Sequence, residues 1–191
     1  MKKKEKEVIY KPKFKICVSG AAETGPCSED AHLKAYKVGA EIVNQGAVLV
    51  TGATTGIPYW AAKGAKEAGG ISIGLSPAPS EIAHIKTYKL PIDYFDLIIY
   101  TGFEYSGRNL LLTRSADGVA FICGRMGTLN EFTIAFEDRK PMAVLEDTGG
   151  FSNKFRQLVK EAQRGSGKIA YSSDPAELVA SLIKIIKQEK K

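Results

Sequence analysis

Histidine and cysteine are scarce in this 191-residue chain, which has only His32, His84, Cys17, Cys27 and Cys123. Neither histidine lies near a cysteine pair, and the cysteines lack metal-ligand spacing, so no zinc site is expected. Three cysteines are few and odd in number, which is the pattern of a reduced, cytoplasmic protein with plain thiols. No apolar run is long enough to span a bilayer. The lysine-rich residues 1–15 are not followed by the apolar segment of a signal peptide. No low-complexity stretch interrupts the chain, and apolar and charged fractions of 44% and 25% are those of a folded protein. One domain with a full core is therefore expected over residues 13–187, with a basic tail over residues 1–12.

The net charge of +6 raises the question of nucleic acid. Its distribution argues against that partner. Residues 1–15 hold seven lysines against two glutamates, a balance of +5, and residues 184–191 hold four lysines against one glutamate, a balance of +3. The intervening residues carry −2 of the total. The basic excess sits at the ends, and no structured basic face is implied.

Along the chain, short and continuously apolar runs alternate with helical periodicity. Strands are expected near residues 14–19, 47–51, 71–75, 97–101, 119–123, 142–145 and 168–171. Helices are expected after Ser28, at residues 60–68, 107–115, 128–138 and 151–163, and from Asp174-Pro175 onward. Pro58 suits the first turn of its helix. The proline-bearing stretch 76–93 reads as an irregular connection. Continuously apolar strands separated by helices predict an α/β fold: a single Rossmann-like domain with a mostly parallel sheet of about 6–7 strands and helices on both faces. Ligands of such sheets bind outside the carboxyl ends of the strands.

Three loops at those ends carry glycine: residues 19–25 after the first strand, 51–56 after the second and 124–131 after the fifth. Glycine lets backbone N–H groups approach an anion, and a helix N-terminus behind it adds unpaired donors and a favourable dipole. The expected phosphate or nucleotide contacts are Gly20, Gly52, Thr55, Gly56, Gly124, Arg125, Gly127 and Thr128. Tight strand-to-helix turns also need glycine for purely structural reasons. Thr128-Leu129-Asn130-Glu131 equally matches a capping box, in which threonine caps the helix and glutamate reaches back to it. Arg108 opens a helix that follows the fourth strand. With that strand expected beside the fifth, Arg108 would face the same cleft as Glu131, as a bidentate ligand of phosphate or ribose oxygens.

Residues 124–131, the upstream Arg108-Asn109 and the Gly52 loop together resemble the LOG-like superfamily of Rossmann-type nucleotide-binding proteins. That group includes cytokinin-activating phosphoribohydrolases and molybdenum-cofactor carrier proteins. The resemblance covers roughly residues 14–147, and residues 57–65 and 106–109 are most similar to the uncharacterised or carrier-like branch. In the hydrolase branch the pattern is Pro-Gly-Gly-x-Gly-Thr-x-x-Glu with an upstream arginine. The resemblance implies that Gly127 and Thr128 hold a 5′-phosphate and that Arg108 and Glu131 act at the N-glycosidic bond. This chain departs from the pattern with Cys123 for proline, Arg125 for the second glycine, Asn109 where lysine is usual, and Ala53 where a second glycine is common.

Two functions follow as expectations. The first is a nucleoside 5′-monophosphate phosphoribohydrolase, which needs no cofactor and no metal. The second is a non-catalytic binder or carrier of a nucleotide monophosphate or molybdopterin. A homodimer or higher homo-oligomer is expected by resemblance, with neither membrane nor nucleic acid as partner.

Overall fold

The computed structural model describes residues 12–190. Nearly all of the expected basic tail, and its lysines at positions 2, 3, 4, 6 and 11, lie outside the described residues. The seven strands are β1 (Lys15–Gly20), β2 (Val48–Thr51), β3 (Ser72–Ser76), β4 (Leu97–Tyr100), β5 (Gly118–Ile122), β6 (Met142–Leu145) and β7 (Ile169–Ser172). They form one sheet in the order β4-β3-β2-β1-β5-β6-β7, and every pairing is parallel. The helices are α1 (Ala31–Asn44), α2 (Ile57–Glu67), α3 (Glu104–Ser115), α4 (Met126–Glu137), α5 (Phe155–Ala162) and α6 (Pro175–Glu189). Among the described residues no helix is long and apolar enough to cross a membrane.

The continuously apolar strands are explained by burial on both faces. Successive side chains of a strand point to opposite sides. Ile16 and Val18 of β1 join Ile42 of α1, Ile57 of α2 and Leu182 of α6 in one core. Cys17, between them, faces Leu112 of α3, Phe132 of α4 and Phe155 in the other. Phe132 and Phe155 stack with centroids 3.9 Å apart and planes 4° apart. Burial of each such ring contributes about 1.5–3 kcal/mol, and it anchors the face of α4 next to Glu131.

Local signals place several element ends. Pro58 lies in the first turn of α2. Asp174 caps α6, its Oδ1 accepting from the Glu177 amide at 2.8 Å, with Pro175 behind it in the first turn. The stretch after β3 includes one π-helical turn, Ala83–Thr87. Three helices start earlier than their periodicity suggests, α2 by three residues at Ile57. α3 begins at Glu104, so Arg108 sits in its second turn rather than opening it. α4 begins at Met126, two residues ahead of Thr128.

The position of β4 corrects the sequence expectation. It is the sheet edge, three strands away from β1 and four from β5. Leu97 and Ile99 are consequently 54% and 47% exposed. Arg108 still reaches the fifth strand's neighbourhood, because α3 leaves that edge and packs back across β3 and β1.

Candidate functional site

β1 is flanked by β2 on one side and β5 on the other. The chain steps outward from β1 to β4 and then returns to β5, which opens a crevice at the carboxyl ends of β1 and β5. Register keeps those ends level, with Gly20 opposite Ile122 and Val18 opposite Thr51. A cleft of about 460 Å³ opens there. Ser19 and Gly20 form its floor, Gly52, Thr54 and Pro58 one wall, and Arg108, Asn109 and Leu112 another. Arg125 to Thr128 and Glu131 close the last side. A cavity of about 520 Å³ below the opposite end of the sheet is lined by Lys15, Arg114, Asp117 and Asp138. Those four charges are already paired, Lys15 with Asp117 and Arg114 with Asp138.

Glu131 and Arg108 meet inside the cleft. Arg108 Nη1 donates to Glu131 Oε1 at 3.2 Å, and both side chains are 7% exposed. Ser19 Oγ donates to Glu131 Oε2. With the Asn109 amide oriented to satisfy its neighbours, its nitrogen donates to Glu131 Oε1 at 2.8 Å and to the Tyr105 carbonyl at 2.9 Å. Burial pushes the Glu131 carboxyl above the usual glutamate value, and Arg108 and Ser19 pull it partly back. Burial also pushes the Cys17 thiol well up, with Glu131 adding to the effect. The capping box is therefore not formed. Thr128 lies in the third position of α4, no side chain caps the helix, and Glu131 turns inward to Ser19 and Arg108.

Two features are unsatisfied. Arg108 Nε is buried without a partner, one of two such side-chain atoms among the described residues, the other being Ser72 Oγ. The amides of Met126, Gly127 and Thr128 find no acceptor among the described residues, as the first turn of an uncapped helix requires. The helix dipole adds positive potential at the same place.

The glycines differ in what they do. A Cβ at Gly127 would meet nothing within 4 Å, so its backbone borders open cleft. A Cβ at Gly52 would lie 2.2 Å from Arg108 Nη1 and 2.7 Å from its Cζ. Gly52 is thus the platform over which the Arg108 guanidinium lies. Gly20 packs against Ile57, and Gly124 sits under the Thr128 side chain. Gly56 packs on the Ala21 and Ala22 carbonyls. Gly56, Gly124 and Thr55 do not line the cleft. The exposed Thr55 hydroxyl donates to the Ala22 carbonyl at 3.1 Å, and its buried neighbour Thr54 lines the cleft in its stead. Arg125 reaches across the mouth to pair with Glu23, both exposed.

Cysteine is the clearest correction. Cys27 and Cys123 form a disulfide across 96 residues, and only the buried Cys17 is free. The strands preceding both cysteines are neighbours, which brings the loops together. The bond ties the β1–α1 loop to the end of β5, between two segments that border the cleft. Cys123 and Ala53 both adopt left-handed backbone, with φ of 56° and 51°. Such φ costs an L-residue about 1–2 kcal/mol. Ala53 thus stands where the backbone suits the glycine common at that place, whereas Cys123 holds a φ that the proline of the pattern could not adopt. Ser19, Thr54, Asn109, Tyr105 and Met126 escaped sequence reasoning as parts of the site. For Ser19 the available signal was its place at the end of the first strand.

A seven-stranded parallel sheet with helices on both faces and a cleft at its switch point defines a Rossmann-like α/β protein. The SLOG cluster4 family model matches residues 13–179, and the chain belongs to that family. An uncharacterized protein of Archaeoglobus fulgidus is 30% identical over 133 residues, 70% of this chain and 82% of the relative. The molybdenum cofactor carrier protein of Chlamydomonas reinhardtii is similar in structure, with TM-score 0.73 and 26% identity, over 92% of this chain and 99% of the other. The molybdenum cofactor binding protein of Rippkaea orientalis matches with TM-score 0.72 and 28% identity, over 94% and 99%.

Proposed function

We propose that the chain binds a phosphate-bearing nucleotide or pterin in this cleft and acts as a binder or carrier. One observation carries the reading: Arg108 lines the same cleft that the free α4 amides and the open face of Gly127 border. A helix N-terminus and an arginine edge together are the chemistry of phosphate capture. Gly127, Thr128 and Arg108 are the residues to hold the phosphate, with Arg125 at the mouth. The similarity to molybdenum cofactor carrier and binding proteins supports a phosphorylated pterin among the ligands. The engagement of Glu131 supports a carrier: both its oxygens accept hydrogen bonds, and it is buried.

Calorimetry and thermal shift with nucleotide monophosphates and molybdopterin test the reading. Ligand at about 100 times Kd stabilises the fold by roughly 2.7 kcal/mol, and Gly127→Val is expected to abolish the gain. No stabilisation by any phosphorylated compound sinks the proposal.

A second reading, a nucleoside 5′-monophosphate phosphoribohydrolase, is favoured by Arg108 and Glu131 lining one cleft. A carboxylate there can stabilise the charge that builds on ribose as the N-glycosidic bond breaks, or orient water. Free base released from AMP above a Glu131→Ala control selects this reading, and none retains the carrier.

We also propose a homo-oligomer. Leu97 and Ile99 on the edge strand and Leu110 and Leu111 on α3 are exposed apolar groups, which suits a contact between copies. Light scattering of wild type against Ile99→Glu tests it, and a monomeric wild type refutes it.

A further inference from the structure

Two large apolar side chains stand at the mouth of the cleft. Met126, the first residue of α4, is 70% exposed, and Tyr105, in the first turn of α3, is 47% exposed. Apolar side chains exposed singly are ordinary on a protein surface. These two, however, line the same cleft as Arg108 and Glu131. Tyr105 lies three residues before Arg108 and seven before Leu112, so the helical repeat puts all three on one stripe. Exposure along that stripe rises from 1% at Leu112 through 6% at Arg108 to 47% at Tyr105. The cleft thus has a donor-rich interior, where Arg108 is paired with Glu131, and a mouth that carries Tyr105 and Met126 beside the Arg125–Glu23 pair. The Tyr88 ring stands edge-on to Tyr105, centroids 6.0 Å apart at 65°, and braces that ring while leaving it half-exposed.

We infer that Tyr105 and Met126 form the seat for a planar heteroaromatic ring, on a ligand whose phosphate lies against Gly127 and Arg108. The inference rests on the phosphate-binding reading above and adds the side chains that hold the ring of such a ligand. Stacking on an aromatic side chain reads the π face of a ring rather than its edge. A methionine thioether adapts to the ring that packs on it. The shared chemistry is a phosphate joined to a flat nitrogen heterocycle, which a purine nucleotide and a phosphorylated pterin both possess. A sugar phosphate without a ring uses only the interior of the cleft.

Calorimetry of the full chain with AMP, a pterin monophosphate and ribose 5-phosphate tests the seat. Wild type is expected to bind at least one ring-bearing ligand roughly 10-fold or more tighter than ribose 5-phosphate. Tyr105→Ala is expected to remove most of that preference while moving ribose 5-phosphate affinity less than about 2-fold, and Tyr105→Phe to keep it. Met126→Ala is expected to lower the preference by a smaller factor. The stronger of the two ring-bearing ligands identifies the source of the ring. Ribose 5-phosphate binding as tightly as both ring-bearing compounds overturns the seat and leaves the phosphate site standing. So does a ring preference that survives Tyr105→Ala in a variant with unchanged thermal unfolding. Failure of all three compounds to bind overturns both readings.

Discussion

Arg108→Met is the sharpest perturbation of the site. The guanidinium and the Glu131 carboxylate are each 7% exposed and 3.2 Å apart, so removing the cation strands a buried anion. Breaking one partner of such a pair costs about 3–5 kcal/mol. For a domain of this size each kcal/mol moves Tm by roughly 2–4 °C, so a fall of about 6–20 °C is expected. The loss depends on pH. Burial already raises Glu131 above its usual value, so the folded state binds that proton more tightly than the unfolded chain. Its contribution is therefore greatest below the ordinary glutamate pKa and is lost as pH rises through the raised value. Without Arg108 the carboxyl rises further, and the variant loses more than wild type over that window, by at most about 1.4 kcal/mol per pH unit. The difference between the two proteins should thus narrow as pH falls from about 7 to about 5. Urea unfolding at both pH values measures it, and Arg108→Met with Glu131→Gln should recover much of the loss at neutral pH. Equal destabilisation at both pH values, or none at neutral pH, would refute the buried charge pair.

Three further outcomes are expected. Gly127→Ala should leave stability unchanged or raise it by about 0.5–1 kcal/mol, as expected for glycine replaced inside a helix, because its Cβ meets nothing within 4 Å. The same variant should weaken phosphate-ligand binding in calorimetry, and unaltered affinity removes Gly127 from the site. Ala53→Gly should change stability by less than about 1 kcal/mol in denaturant titration, since relief of the φ of 51° is offset by the loss of a fully buried methyl and by glycine's added chain freedom; a loss above about 2 kcal/mol refutes the strain argument. Reduction of Cys27–Cys123 should cost roughly 2–4 kcal/mol, because the bond closes a loop spanning 96 residues. Unfolding with and without a dithiol reductant reads this directly, and Cys27→Ser should remove the difference.

Much of the architecture was legible before any coordinate. The β6 strand, residues 142–145, falls where its apolar run lies, because a strand buried on both faces admits no polar interruption. The start of α6 was legible from Asp174-Pro175, a cap followed by a residue with preset φ. The three glycine-bearing loops were rightly placed at one end of one sheet. Helix starts at Glu104 and Met126 were not legible, since neither residue carries a capping signal and tertiary packing sets the first turn.

Sequence alone determined the local part of this protein: apolar periodicity named the strands and helices, and their alternation named a parallel α/β sheet. The tertiary structure alone decided which strands became neighbours, and every long-range partnership follows from that order. Putting β5 beside β1 joined Cys27 to Cys123 and brought Ser19 to Glu131 across 112 positions. Putting β4 at the edge sent α3 back over the sheet, which laid Arg108 on Gly52. Hydrophobic patterning acts between near neighbours in the chain, whereas strand order is set by the packing of all layers together. The reason for each glycine, and the partner of each buried charge, belongs to that second level.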